Sequence, residues 1–574
     1  MSSQLSRFDL PGFTLPLTYT PGSEDDADPL FPTALDEEAW IIYVYREILM
    51  MRLMNTITDK PEWDQKVYNE QITNKWRQEV AQSGQDVTEI MMDWVIKELQ
   101  WKAEVLQNEG LTYVFDIGVI KSDTAISEAL KHELVEAVAP FDNVPEEQKD
   151  YHPGTNKKVV DLVHQSLFPV VYGHTHILRD KIIGLEDCLS SVGQGELLPV
   201  YDKGRTTKYS RKFQWLPCDV ELLENDECRI TSYISNAHPI EHRALYGAVE
   251  KIIARAIPLW NKSLTLPSYD VGQRISYFEV EYLEHKDPKP AESDFEDQEE
   301  YWEKCEKWEA TQPIKQPEPY GRFKAPDYQE PGNWTDLRSE YRESGLQVIV
   351  KLANIELTPE NPEYEGGSWH IEGQLNEHIC ATAIYYYDCE NITESMLCFR
   401  GRGNDEALMD LGYEQNRHEF LQQVYGFSGE GSYDTKGTTQ ELGGVVCKEG
   451  RLLTFPNVVQ HRVSPFSLAD RSKPGHRKII ALFLVDPHIR IISSANVPPQ
   501  REDWGFERER TVDGLLSSKL PVELQYMVRK DLPKNYMTMD EAKQYRLELM
   551  EERGAKSQSQ NQTFENGSFS LCEH

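Results

Sequence analysis

Gly366-Gly-Ser-Trp-His370-Ile-Glu372-Gly373 sets a histidine and a carboxylate two residues apart, directly after a Gly-Gly turn. In an extended segment side chains alternate, so positions 370 and 372 share a face. One imidazole and one carboxylate on one face are two of the three protein ligands of a facial-triad iron(II) site. The third is expected from a distant histidine on another strand. Leu452-Leu-Thr-Phe-Pro-Asn-Val-Val-Gln-His461 offers it. Gly475-His-Arg477-Lys-Ile-Ile-Ala-Leu-Phe-Leu-Val485 then reads as an apolar strand with a cation at its start.

The text around these residues is strands and turns. Gln347–Leu357 reads as a strong strand, followed by Ile379–Tyr387, Glu394–Arg400, Gly443–Cys447, Leu452–Phe455, Gln460–Val463 and Lys478–Val485. Many short strands with turns between them predict a sandwich or barrel. Asn404–Val424 is expected to interrupt as a helix. Leu520–Arg553 reads as helical, and the Ser/Gln/Asn-rich run from Ala555 to His574 as disordered.

Upstream the character differs. Residues 1–35 are rich in Pro, Ser, Asp and Thr and are expected to wrap a surface or stay loose. Glu37–Asn55 and Glu70–Gln107 carry apolar residues at helical spacing, which predicts a helical layer. Thr112–Ile120 reads as a strand and Ser127–Ala139 as a helix. Tyr209–Leu223, Cys228–Ser235 and Gln273–Leu283 read as strands, and Ile240–Leu264 as a long amphipathic helix. Glu284–Gly321 is acidic and Pro-containing, the mark of a solvated insertion or of a docking segment for a protein partner. The resulting division is 1–35 loose, 36–110 helical, 111–283 mixed, 284–321 insertion, 322–500 core, 501–554 helices and 555–574 tail.

The 574 residues carry a formal net charge of -36 with 39% hydrophobic residues. That is enough apolar material for real cores, and such acidity disfavours nucleic acid or an anionic membrane as partner. A small-molecule or peptide substrate is the remaining expectation. Nine cysteines without a Cys-x-x-Cys pair read as reduced thiols. No signal peptide and no membrane span is read, so a soluble protein of the cytoplasm or nucleus is expected.

His370, Glu372, His461 and Arg477, in that order, resemble the Fe(II)/2-oxoglutarate dioxygenases, and Phe455-Pro456-Asn457 with Val463 and Pro465 resembles the distal-histidine strand of their prolyl-hydroxylase-like members. The resemblance implies an α+β chain whose C-terminal half holds a double-stranded β-helix, the jelly-roll or cupin-like core. It implies that His370, Glu372 and His461 hold Fe(II), that Arg477 binds the far carboxylate of 2-oxoglutarate, and that the reaction is hydroxylation of a substrate. Glu372 stands where Asp is usual, and Ile479 where a co-substrate-binding Ser is usual. The turn Asp470-Arg-Ser-Lys-Pro-Gly475 makes Arg471 a rival to Arg477. A non-catalytic cupin-like binding protein and a metal-dependent cupin enzyme without 2-oxoglutarate are the alternatives. On the bland reading His370 caps a turn and His461 pairs with a carbonyl.

The chain as a whole resembles a family of large, mainly fungal proteins known only as a domain of unknown function. Thr58-Asp-Lys-Pro61, Lys121-Ser-Asp123, Asp161-Leu-Val-His-Gln-Ser-Leu167 and Ile234-Ser-Asn-Ala-His-Pro239 carry that likeness, over most of residues 35–510.

Two further histidine groups are weighed against the triad. His174 and His176 would share a strand face, with His164 and Asp180 the nearest further ligands, or they are a surface pair. His238-Pro-Ile-Glu241-His242 matches an inverted zinc-helix pattern, but Pro239 marks a helix start. His378 reads as structural, or as a neighbour supporting the triad. Tyr385 and Tyr387 share a face and read as core or as pocket lining.

Overall fold

The computed structural model describes residues 7–21, 30–36, 42–201, 208–265, 274–326, 334–403, 408, 411–427, 439–505, 517–531 and 535–566. The helices are α1 Tyr45–Thr58, α2 Trp63–Lys66, α3 Glu70–Gln82, α4 Glu89–Glu109, α5 Glu128–Asp142, α6 Arg243–Leu264, α7 Gln298–Ala310, α8 Leu337–Glu340, α9 Glu419–Gln423, α10 Val522–Asp531 and α11 Met539–Asn566. The strands before the insertion are β1 Thr112–Phe115, β2 Val119–Ser122, β3 Val159–Val163, β8 Cys218–Leu222 and β9 Cys228–Ile230, with two-residue pieces β4 Val170–Val171, β5 His176–Ile177, β6 Glu196–Leu197 and β7 Phe213–Gln214. After it come β10 Leu346–Leu357, β11 Glu363–Tyr364, β12 Ile379–Glu390, β13 Met396–Arg402, β14 Thr439–Val446, β15 Leu452–Pro456, β16 Gln460–Val463, β17 Phe466–Ser467 and β18 Gly475–Val485.

A nine-stranded antiparallel sheet runs β1-β2-β15-β12-β18-β10-β8-β9, with β3 also paired to β10. A second sheet runs β14-β13-β16. No closed barrel forms among the described residues, and this is a mixed α+β chain.

The central strands β10, β12 and β18 are buried on both faces, so they read as continuous apolar runs rather than alternations. Their parity still separates two cores. Val348, Val350, Leu352, Tyr385, Tyr387, Ile480, Leu482 and Leu484 pack with α5 and α6 on one face. Ile349, Ile384, Tyr386, Ala481 and Phe483 look the other way, toward Leu397 and Phe399 of the second sheet, with Phe455 among them. Phe399 and Phe455 meet edge-to-face, 5.1 Å between ring centroids. Ser127 and Thr88 cap the N-termini of α5 and α4 through their hydroxyls, which sets where those helices start.

Several expectations are corrected. The boundary at residues 284–321 does not separate the sheet: β2 pairs β15, and β3 and β8 pair β10 across it. The insertion is not simply solvated, since Cys305 of α7 is buried and Glu318 binds Arg46 at 2.7 Å and Thr88 at 2.7 Å. The tail from Ala555 is helical as far as Asn566, because α11 runs on without a break; residues 567–574 lie outside the described ones. Gln273 and much of Asn404–Val424 also lie outside. Within the latter the described helix is α9, and Gln273–Leu283 contributes only isolated bridges at Glu279 and Tyr282. Of the two expectations for residues 1–35, the described part wraps a surface and is not loose: Leu10 and Leu17 are buried, and Phe31 N–H donates to Asp486 at 2.6 Å.

Candidate metal centre

Gly366 has φ 90°, and a Cβ there would stand 2.9 Å from the Val463 carbonyl oxygen, so only glycine permits the approach. Gly367 N–H then donates to Val463 O at 2.9 Å, and His370 and His461 exchange backbone hydrogen bonds of 3.1 and 3.0 Å. Directly opposed residues project to one face, and the two imidazole centroids lie 4.3 Å apart. Glu372 turns its carboxylate to the same point: Oε1 lies 3.6 Å from His370 Nε2 and 3.3 Å from His461 Nε2. Ligands about 2.1 Å from one metal ion stand roughly 3.0–3.5 Å from each other, so this donor set needs little adjustment.

The protonation pattern fits as well. His370 Nδ1 lies 2.8 Å from Ser368 O. A carbonyl only accepts, so the neutral ring keeps its proton on Nδ1 and turns the Nε2 lone pair to the centre. Burial alone would raise the Glu372 carboxyl, but the two imidazoles hold it well below its ordinary range. Burial, with the charge of His370, pushes His461 down to about 4 and keeps it neutral. Burial lowers His370 too, but Glu372 outweighs it and the net direction is up. His461 is 3% exposed along its side chain and His370 38%, so the centre opens to solvent on the His370 side.

Asn457 is a positioning residue the sequence named only as part of a turn. Its Oδ1 accepts from Glu372 N at 3.2 Å and its Nδ2 donates to Glu372 O at 3.0 Å. Helix α11 closes one side: Asn561 Nδ2 donates to Trp369 O at 3.0 Å, and its Oδ1 accepts from Gln460 at 2.9 Å. Trp369 and Gln460 are the neighbours of the two histidines in sequence. Composition hid this contact, because a polar helix is held by what it docks on.

Arg477 is buried on the inner face of β18. Its Nη1 donates to Ser395 Oγ at 3.1 Å, and its guanidinium carbon lies 5.7 and 5.2 Å from the Tyr386 and Phe466 rings. No carboxylate pairs with it among the described residues, and its buried Nε has no hydrogen-bond partner. Arg471 instead sits exposed and pairs with Glu363 at 2.7 Å.

The other weighed groups fall elsewhere. His174 packs 5.4 Å from the Tyr545 ring, His176 lies on β5, and Asp180 is exposed. His164 joins His152 and Asp161 rather than these. His238 Nδ1 accepts from Ile240 N and Glu241 N, and His242 Nδ1 accepts from His238 N, which makes this a helix entry instead of a zinc pair. Tyr385 and Tyr387 face α5 and α6, away from the centre. His378 is buried at φ 43° and stands outside the triad.

A family model described as a protein of unknown function (DUF4246) matches residues 89–508, and that family's N-terminal model matches residues 10–79. No curated protein matches the chain. Among solved structures, IDO from Bacillus thuringiensis aligns at 10% identity over 25% of this chain and 46% of its own, with a TM-score of 0.15. A bsmA homolog from Methylobium petroleophilum PM1 aligns at 11% identity over 26% and 46%, also with a TM-score of 0.15. The Fe(II)/(alpha)ketoglutarate-dependent dioxygenase TqaL aligns at 16% identity over 28% and 52%, again with a TM-score of 0.15. The chain spans about half the length of these structures, and superposition this poor carries no weight for fold or function.

Proposed function

The chain belongs to the DUF4246 family, and from the geometry of its own site we propose that it is a non-heme Fe(II) oxygenase using 2-oxoglutarate as co-substrate. The observation that carries the reading is the convergence of His370 Nε2, His461 Nε2 and a Glu372 oxygen within 4.8 Å of one another. Two imidazoles and one carboxylate on one face leave the opposite positions of an octahedral ion open. Iron held there would supply dioxygen activation for a substrate hydroxylation. The chain's own part is to keep both Nε2 lone pairs free and Glu372 ionised, and to lock the Glu372 backbone through Asn457. Arg477 supplies a buried guanidinium fork, the group suited to a carboxylate. The pairing order β15-β12-β18-β10 facing β14-β13-β16 supports a double-stranded β-helix, in which the segment at His370 is the strand beside β16.

Ile479, where the dioxygenase pattern carries Ser, favours the second reading, a metal-dependent enzyme of this fold that does without 2-oxoglutarate. Anaerobic titration of the metal-free protein with Fe(II) and then 2-oxoglutarate tests both. A weak visible charge-transfer band that vanishes in His461→Ala is the expected result. Iron bound without a band supports the second reading. No iron bound refutes both.

A further inference from the structure

A cavity of about 200 Å³ lies between α11, the end of β13 and the segments at Leu35 and Lys208. Ile371, between His370 and Glu372 in sequence, packs in one cluster with Leu35 and Phe564, and both of these line the cavity. The segment therefore divides its side chains. His370 and Glu372 turn to the candidate metal centre, and Ile371 turns to α11.

Three cations line the cavity, each from a different part of the chain: Lys208 from the loop before β7, Arg402 from the end of β13 and Lys556 from α11. No carboxylate lines it among the described residues, in a chain whose net charge is -36. Like charges gathered without counter-ions repel, so the arrangement calls for an anion. The partners already present fall short of one. Lys208 pairs with Asp36 at 2.9 Å, an exposed pair of little strength. Lys556 Nζ is buried and makes no hydrogen bond; Glu552, at 3.4 Å, is its ion-pair partner among the described residues. Burial draws the Lys556 ammonium below its ordinary range in spite of Glu552, as expected of a cation short of counter-charge. Arg402 Nε is buried without a hydrogen-bond partner, and Arg402 forms no ion pair among the described residues.

The rest of the wall narrows the kind of anion. Ser559 and Gln560 of α11 add a hydroxyl and an amide, and Leu35 and Phe564 add an apolar side. A phosphate monoester carries a charge of about -1.5 to -2 and three acceptor oxygens, enough to engage all three cations. A single carboxylate brings one charge and two oxygens and leaves a cation unmet. The volume equals roughly seven water molecules, room for a phosphate on a short carbon chain. Lys208, 39% exposed along its side chain, marks the side open to solvent.

We infer that this cavity binds the phosphate group of a small phosphorylated molecule. Arg402 and Lys556 hold the phosphate between β13 and α11, Lys208 closes on it from the mouth, and the carbon chain lies against Leu35 and Phe564. The site goes beyond the oxygenase reading and does not rest on it. Asn561, next to Gln560, donates to Trp369 O, and Ala34 N–H donates to Asn457 O at 3.1 Å. The two sites thus share supporting segments but no side chain.

The test is calorimetry of inorganic phosphate, glycerol 3-phosphate and glycerol into the full-length, metal-free protein in a phosphate-free buffer. Both phosphates should bind, glycerol 3-phosphate with a Kd of about a millimolar or below, and glycerol should give no heat. Arg402→Met and Lys556→Met should each weaken both phosphates by about tenfold or more, since each removes a charge-assisted bond. Arg402→Lys keeps the charge and should recover part of the loss. Lys75→Met, at an exposed position on α3, should change nothing. Near-ultraviolet circular dichroism checks that each variant keeps its packing, and Lys208→Met at the mouth carries the test if one does not. No heat from either phosphate up to roughly 10 mM, or parental affinity in both Arg402→Met and Lys556→Met, would overturn the inference and leave the iron titration untouched. Citrate binding more tightly than glycerol 3-phosphate would overturn the phosphate assignment. His461→Ala should bind phosphate as the parent does, and loss of binding there would overturn the separation of the two sites.

Discussion

Replacing Arg477 by Met separates a co-substrate anchor from a packing residue. The side chain is 3% exposed, with one hydrogen bond to Ser395 and two aromatic neighbours. Met keeps the length and the packing and removes the charge. A buried cation without an anion costs several kcal/mol in desolvation. Against that stand one charged hydrogen bond of about 1.5–3 kcal/mol and two cation–π contacts of about 0.5–2 kcal/mol each. The terms nearly cancel, so the variant should change stability by no more than about 2 kcal/mol in either direction. Binding should respond far more. Two charge-assisted bonds to one carboxylate, at roughly 1.5 kcal/mol each, amount to about 3 kcal/mol, or roughly a hundredfold in Kd. The assay is anaerobic calorimetry of 2-oxoglutarate into protein preloaded with Fe(II). Arg471→Met is the control: an exposed pair with Glu363 is worth under about 1 kcal/mol and should leave both quantities unchanged. A Kd for 2-oxoglutarate within about threefold of the parent in Arg477→Met, with iron still bound, would refute the reasoning.

Glu372→Ala and His461→Ala should each lower iron retention after gel filtration to background while circular dichroism stays unchanged; iron kept by both removes the centre from these residues. Gly366→Ala puts a side chain at φ 90° and against Val463 O, at a cost of about 1–2 kcal/mol in conformation alone. The pairing of His370 with His461 should loosen and metal affinity should fall by tenfold or more, a result read by chelator competition. Metal affinity should also fall with acid. Glu372 is held ionised and His461 stays neutral down to about pH 4, whereas His370 is shifted upward and protonates first. In the metal-free protein the His370–Glu372 pairing therefore adds stability below the ordinary histidine value of about 6.5, lost as pH rises through the raised one. The metal must displace that proton, so Kd should rise about tenfold per unit as pH drops below the His370 value; a flat profile from pH 8 to 5.5 contradicts the assignment.

The convergence of His370, Glu372 and His461 and the buried place of Arg477 were legible because each belongs to a local pattern: His-x-Glu after a glycine turn, a histidine after Pro-Asn, an arginine opening an apolar strand. The long central strands and α6 were legible for the same reason. What escaped depends on which strands become neighbours. Asp161 reads in sequence as one acid in an apolar strand and Lys351 as one cation in another. Only the pairing of β3 with β10 places them on one face. Glu89–Glu109 and Glu70–Gln82 read as one helix because the loop between them is short and polar.

The same cause explains why the boundary at residues 284–321 misled. Charge and proline content there are properties of a surface segment, and they say nothing about the chain on either side. The sheet needs both sides. Without β2 the strand β15 would end the sheet as a bare edge, and without β3 and β8 so would β10. The C-terminal helix closes the structure from a third direction. Arg546 reaches Asp150 at 2.6 Å, Arg553 reaches the buried Glu377 at 2.6 Å, and Asn561 reaches Trp369 beside His370. A segment whose composition reads as disordered is thus ordered by buried partners that lie far from it in sequence. The candidate metal centre consequently draws on residues from most of the chain: a turn at 366, a strand at 461, an amide at 457 and a helix at 561. A fragment cut at residues 322–500 would retain His370, Glu372 and His461 yet lose the edges and the helix that hold them in register.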